Sequence, residues 1–245
     1  MRFFKYEGTG NDFLILDTTT PPSTADIKRI CDRHFGLGAD GILFASSSTL
    51  ADIKMNYYNA DGTMAKMCGN GMRCFVNYLN DQSIITEEAF VVETGAGLIE
   101  VTRDGELVEM NLGTSIVQPL TLIEQYPLYP VTLATEHAVI FEGIDQKEVI
   151  GPLVTNHATF NDGVNTNFVI VKGPASIFVQ THERGAGWTL SCGTGAAASA
   201  ACAVALGFVT SPVQIDVPGG TLEVRVASDV FLKGPANKVA EGVWE

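Results

Sequence analysis

The sequence predicts an α/β protein made of two similar halves with a ligand site in the cleft between them, and three observations carry that expectation. Cys68-Gly69-Asn70-Gly71 and Cys192-Gly193-Thr194-Gly195 share one pattern, Cys-Gly-x-Gly, and each runs straight into a helix-like segment. Asn59 lies nine residues before Cys68 and Glu183 nine before Cys192, each at the end of a strand-like run and ahead of a Gly-containing loop. Thr94-Gly95-Ala96-Gly97-Leu98-Ile99-Glu100-Val101 aligns with Val217-Pro218-Gly219-Gly220-Thr221-Leu222-Glu223-Val224 at an offset of 123, beside 124 for the cysteines. Matching offsets near half the chain length point to duplication. The join is expected near Gly113 to Pro119, and the interface of two such halves is a common place for a ligand.

The elements follow in order. Arg2 to Glu7 and Phe13 to Asp17 read as strands around the loop Gly8-Thr9-Gly10-Asn11-Asp12. Ser23 or Thr24 caps a helix running through Ile27, Ile30 and Cys31 to Phe35. Gly36-Leu37-Gly38-Ala39-Asp40-Gly41 has the bare spacing of a dinucleotide loop. It follows a helix and leads into the strand-like Ile42-Leu43-Phe44-Ala45, which is the wrong context for that motif. A strand over Ile53 to Asn59, the turn Asn59-Ala60-Asp61-Gly62 and a helix from about Gly69 to Asn80 come next. Phe90 to Glu93, Leu98 to Arg103 and Leu107 to Leu112 then alternate apolar and polar residues as strands do.

Composition narrows the function. The 245 residues are 46% hydrophobic and 18% charged, which suits ordered domains with real cores. A formal charge of −13 argues against nucleic-acid and anionic-membrane partners, since both require a basic face. No segment reads as membrane-spanning; Gly193 to Val209 is short and rich in Gly, Ala and Ser, as a buried helix would be. The first residues lack the pattern of a signal peptide, so a cytoplasmic location is expected. Five cysteines without a CxxC pair are expected as free thiols, and their spacings offer no zinc cluster. Cys31, Cys74 and Cys202 fit small buried hydrophobes. His34, His157 and His182 fit surface or satisfied polar residues.

Cys68 and Cys192 call for a different reading. A thiol at a helix start meets the unpaired amides of the first turn and the positive end of the dipole, which favour the thiolate over a thiol whose pKa starts at about 8.5. The amides around Gly69-Asn70-Gly71 and Gly193-Thr194-Gly195 also make a cradle for a carboxylate. With the α-carbon between two thiols, one thiolate removes a proton and the other thiol returns one to the opposite face. That describes a racemase or epimerase acting on a small amino acid, with no pyridoxal phosphate and no metal.

The motifs together resemble the diaminopimelate epimerase family of cofactor-independent two-cysteine enzymes. The resemblance is carried by Gly8 to Phe13, Arg33-His34-Phe35-Gly36-Leu37-Gly38-Ala39-Asp40-Gly41, Asn59 to Gly62, Met67 to Cys74, Glu183-Arg184-Gly185-Ala186-Gly187, Cys192 to Gly195, Pro218-Gly219-Gly220 and Gly234-Pro235-Ala236. It implies that Cys68 and Cys192 are base and acid, with His137 and Glu183 assisting. It implies that Asn11, Asn59, Asn165 and Arg184 hold the far end of the substrate, and that Gly69, Asn70, Gly193 and Thr194 hold the reacting carboxylate. It also implies two pseudo-symmetric halves, each with strands wrapped around a central helix, over 1–115 with 234–245 returning and over 116–233. A homodimer is compatible with it. The implied reaction converts LL-diaminopimelate to the meso form for lysine and cell-wall precursors. A racemase of another amino acid such as histidine, and a non-catalytic binding protein of the same fold, are the alternatives. The chain departs from the family pattern at Thr135, where an amide usually precedes Pro-His, and at Trp188, which could reshape the site by pointing inward.

Overall fold

The computed structural model describes residues 1–245. The chain is a mixed α/β protein of nineteen strands and four α-helices, with parallel and antiparallel pairing, and it divides into two compact units. The first comprises Met1–Met110 and Gly234–Glu245, the second Asn111–Lys233. No helix is long and apolar enough to cross a membrane.

In chain order the first unit contains β1 (Arg2–Gly8), β2 (Asn11–Leu16), α1 (Thr24–Cys31), β3 (Gly41–Ser46), β4 (Ile53–Asn59), β5 (Met64–Ala65), α2 (Gly69–Asp81), β6 (Ala89–Thr94), β7 (Gly97–Asp104) and β8 (Leu107–Asn111). β1 and β2 form a hairpin; β2 pairs parallel with β3 through the α1 crossover, and β4 pairs parallel with β6 through the α2 crossover. Parallel neighbours require such crossovers, because a tight turn cannot reverse the chain twice. Ser23 caps α1, its hydroxyl accepting from Asp26 N at 3.2 Å. Ile27, Ile30 and Cys31 of α1 pack on Phe3, Leu14, Leu16 and Ile42. The helix ends at Cys31 rather than at Phe35. Asp32 Oδ1 accepts from the amides of His34 and Phe35 at 2.8 and 2.7 Å, so the side chain takes bonds that a continued helix would need.

The second unit contains β9 (Ile116–Val117), β10 (Thr121–Ile123), β11 (Tyr126–Leu133), β12 (Thr135–Ile140), α3 (Lys147–Thr155), β13 (Asn165–Gly173), β14 (Ser176–Glu183), β15 (Gly187–Trp188), α4 (Gly193–Ala205), β16 (Val213–Val217), β17 (Gly220–Val226) and β18 (Val230–Pro235). β11 and β12 pair antiparallel, β12 and β13 parallel through α3, and β14 and β16 parallel through α4. The last strand, β19 (Asn237–Val243), lies antiparallel to β1 in the first unit.

Each unit has one helix buried on nearly every face. In α2 the residues from Gly69 to Leu79 are all buried, and β1, β2, β7 and β19 pack against it. In α4 only Thr194, Val204 and Ala205 are partly or wholly uncovered, with β11, β12, β13, β14, β16 and β17 around it. A helix that is apolar all round must be enclosed, and six buried alanines with methyl-sized side chains let strands approach from every direction. Cys31, Cys74 and Cys202 are buried free thiols in these cores. Burial pushes Cys31 up to about 11 and Cys202 up to about 12, so neither ionises at neutral pH.

Candidate active site

The two motif cysteines hold the same local position. Cys68 is the N-cap of α2 and Cys192 the N-cap of α4, both with extended backbone and neither helix with a side-chain cap. A Ser, Thr, Asp or Asn cap would hold the first-turn amides through a side-chain oxygen, and a cysteine there makes no such bond.

In the second unit, Glu183 at the end of β14 lies next to Cys192, and its carboxyl acts on the thiol electrostatically. Thr189 Oγ1 donates to Glu183 Oε1 at 2.6 Å and fixes its rotamer. Burial raises the Glu183 carboxyl, which favours a proton-carrying form against the opposing pull of Thr189 and Cys192. Burial and the adjacent Glu183 carboxylate push the Cys192 thiol well up, while the Gly195 amide and Thr194 hydroxyl, the latter 3.7 Å from Sγ, oppose that. The thiol is thereby biased to keep its proton, and the Glu183 carboxylate beside it has a raised proton affinity that suits it to accept one. That is the arrangement expected of a thiol acid with an assisting carboxyl.

In the first unit the Cys68 thiol donates to Asn11 Oδ1 at 3.7 Å, and Asn70 Nδ2 donates to the same oxygen at 3.3 Å. Asn11 Nδ2 donates to Asp40 Oδ2 at 2.5 Å, so the amide cannot turn round without facing oxygen with oxygen. Asp40 is held in turn by Arg33 at 2.7 Å, and Arg33 also grips Asp12 at 2.8 Å. Asn11 therefore stands against the Cys68 thiol, while the family resemblance implies a place for it at the far end of the substrate. The loop rejected as a nucleotide motif supplies Asp40 and lies between α1 and β3.

The remaining expected residues fall into two places. Asn59 ends β4, with its Nδ2 donating to Thr63 Oγ1 at 3.0 Å and its backbone N–H to Thr63 O at 2.9 Å. Asn165 begins β13 and its Oδ1 accepts from Arg184 N at 2.9 Å, while Arg184 Nη1 donates to Asp162 O at 2.8 Å. Arg184 is exposed, and its guanidinium donates to Asp162 O alone, which leaves the rest of the fork able to meet a carboxylate.

His137 lies in β12 opposite Asn165 and is wholly buried. Asn167 Nδ2 lies 3.3 Å from its Nδ1 and also donates to Ala138 O and Asn165 O, while Asn167 Oδ1 accepts from Thr181. That fixes the amide, makes Nδ1 an acceptor and places the ring proton on Nε2, which has no partner. The ring does not hydrogen-bond to Glu183. Burial pushes its pKa down to about 3, so it is neutral. The unfolded chain takes up a proton at His137 below about pH 6.5 that the folded chain refuses until about pH 3. Folding stability is therefore expected to fall as the pH drops through that window, with a slope approaching about 1.4 kcal/mol per unit. Chemical denaturation of the wild type and His137→Gln at pH 7 and pH 5 should show a steeper loss of stability in the wild type, the difference reporting His137. Equal pH dependence in both would contradict a neutral buried imidazole.

Trp188 does not point inward. Its ring lies 5.8 Å from that of Phe168 and 5.2 Å from His182, beneath Lys147, against the core formed by Ile123, Leu128, Ile150 and Val154. β15 pairs with β14, and the indole is the only large apolar group there, so burial beside α3 takes precedence over lining a site. Thr135 opens β12 opposite Leu133, after Ala134 at φ 58°, and the neighbouring Glu136 accepts from Thr132 Oγ1 at 3.0 Å. Residues that the motifs did not single out, namely Asp40, Arg73, Asn167, Thr181 and Thr189, hold the expected ones in place. Asp40 and Arg73 at least lie inside quoted motifs.

Known proteins with these features can now be set beside the chain. The family model described as diaminopimelate epimerase matches residues 3–117 and 130–239. The diaminopimelate epimerase of Alkaliphilus metalliredigens is 34% identical over 100% of this chain and 97% of its own, and that of Methanocella arvoryzae 36% over 99% and 96%. Among solved structures, a Bacillus anthracis protein of the PhzF phenazine-biosynthesis family superposes with TM-score 0.76 at 15% identity, covering 99% of this chain and 98% of its own. A hydroxyproline epimerase from Agrobacterium vitis gives 0.74 at 16%, covering 99% and 90%. These two share the fold; full-length similarity above thirty per cent is what places the chain among the isomerases of the diaminopimelate epimerase family.

Proposed function

We propose that this isomerase converts LL-diaminopimelate to the meso form, on the route to lysine and cell-wall precursors, by proton transfer between Cys68 and Cys192. The observation that carries the reading is the Cys192–Glu183 pair at the start of α4, matched by Cys68 at the start of α2. Both units also run through one order of pairing: a hairpin, a parallel crossover through a short helix, a hairpin, and a parallel crossover through the buried helix. That order supports two pseudo-symmetric halves.

In this scheme the thiolate of one cysteine takes the α-proton while first-turn amides receive the charge that spreads onto the carboxylate. The other thiol then delivers its proton to the opposite face, so the substrate gains and loses one proton and the two thiols exchange states. Glu183 relays the Cys192 proton. Arg184, with Asn165 behind it, suits the distal carboxylate, and Asn59 the distal amine. Incubation of the purified protein with LL-diaminopimelate or L-histidine in deuterated water tests the substrate. Deuterium at the α-carbon of the first alone is expected; uptake into histidine alone would replace the reading with that of a different racemase.

A further inference from the structure

Arg73 is the largest side chain the fold buries completely, and the reaction scheme above gives it no part. It lies one turn into α2. Its Nε donates to Pro235 O at 3.0 Å, Nη1 to Asn70 Oδ1 at 3.0 Å and to Gly69 O at 3.5 Å, and Nη2 to Thr9 Oγ1 at 3.0 Å. All four acceptors are neutral. Burial works against its charge, yet a guanidinium keeps its proton in folded proteins and these oxygens offset part of the lost hydration. An apolar side chain of similar volume would fill the space without that desolvation. The cation therefore calls for a reason beyond packing.

The groups that its field reaches are Cys74, Cys68 and Glu7. Cys74 is fully buried and its thiol is pushed far up, so it does not ionise. Glu7 lies at the surface, where it accepts from Gly10 N and Asn237 Nδ2. Cys68 is the remaining group that can respond, and a relay of contacts reaches it. Because Arg73 takes Asn70 Oδ1, the Asn70 amide presents its NH2 to Asn11 Oδ1, the oxygen that accepts from the Cys68 thiol.

We infer that Arg73 is a positioning residue for Cys68: its fork fixes Asn70 and the first turn of α2, and its buried charge favours the Cys68 thiolate. The inference rests on Cys68 being one of the two proton-transfer thiols. Other groups pull both ways. Asn11 Oδ1, by accepting from the thiol, favours the neutral form; Asp40 behind it is negative but paired with Arg33, and Glu7 is negative. The amides of α2 favour the thiolate, and Lys66 is exposed. The effect of Arg73 is accordingly a difference, read by removing it.

The test uses a Cys192→Ser background, in which Cys68 is the thiol that is not buried. The rate of iodoacetamide alkylation is followed against pH with Arg73 intact, as Arg73→Gln and as Arg73→Lys; kcat and KM are measured for the two Arg73 variants with Cys192 restored. Arg73→Gln is expected to raise the alkylation midpoint by about one unit, slowing alkylation at neutral pH about tenfold. Arg73→Lys keeps the charge and so the midpoint, but an ammonium cannot reach Asn70, Thr9 and Pro235 together, so kcat is expected to fall about tenfold with KM little changed. A folded Arg73→Gln protein whose profile superposes on the parent would overturn the role of the charge. Wild-type kcat in Arg73→Lys would overturn the role of the fork, and this variant decides the matter if Arg73→Gln does not fold. Failure of the wild type to turn over diaminopimelate would count against the substrate reading instead, since alkylation needs no substrate.

Discussion

Replacement of Cys68 by alanine is expected to abolish inversion, with a fall in kcat of at least about 10⁴-fold, the upper range for a positioned acid or base. The fold should hold, because Cys68 is only half-buried and its side chain accepts no cap bond from α2. The two-thiol scheme makes a sharper demand than loss of rate. With Cys192 intact, one face of the α-carbon still meets a thiol. The Cys68→Ala protein should therefore exchange the α-proton of one epimer with deuterated solvent and leave the other untouched, without inverting either. Mass spectrometry of each epimer after incubation reads this directly. Turnover equal to the wild type would eliminate Cys68 as a reacting group, and exchange of both epimers would mean that a single base serves both faces.

Gly195→Ala is expected to be the most damaging one-methyl change in the chain's second unit. A Cβ at Gly195 would meet Asn167 Oδ1 at 2.3 Å, Thr181 Oγ1 at 3.0 Å and Cys192 Sγ at 3.2 Å. Asn167 cannot retreat, since its amide is bonded to Ala138 O, Asn165 O and Thr181. Overpacking of this kind costs about 1–3 kcal/mol, and the adjustment would fall on the sulfur itself. A loss of about 100-fold in kcat is expected, since small displacements of a reacting group carry penalties of that order. Gly71→Ala is the control from the equivalent place in α2, where a Cβ meets Phe13 at 3.4 Å and Cys68 Cβ at 3.6 Å, ordinary contact distances. Thermal melts and kcat for the pair check the contrast, and similar behaviour of the two variants would contradict it.

The elements around the chemistry were readable because local signals agreed with one another. Ser23 marked the start of α1, the Cys-Gly-x-Gly patterns marked the starts of α2 and α4, and strand alternation marked β6, β7 and β8. The end of α1 was not readable: stopping at Cys31 depends on Asp32 turning its side chain back onto two amides, one of several rotamers open to it. The direction of Trp188 was left open by the sequence for a related reason. It departs from the family pattern after Gly187, but where an indole points depends on what offers it burial, here Phe168 and His182.

By itself, the sequence determined that two thiols stand at two helix starts, that the elements around them recur, and that the chain resembles the diaminopimelate epimerase family. These properties follow from residue type and spacing along the chain, which short motifs record. Only the tertiary structure decided how the thiols are held: Asp40 turns the oxygen of Asn11 to Cys68, Thr189 sets Glu183 on Cys192, and Arg73 carries a buried charge behind the first turn of α2. The Cys68–Asn11 contact joins residues 57 apart, and the Arg73–Pro235 contact residues 162 apart. Which rotamer, and whether a cation can be tolerated without a counter-ion, depends on groups brought together from such separations by folding.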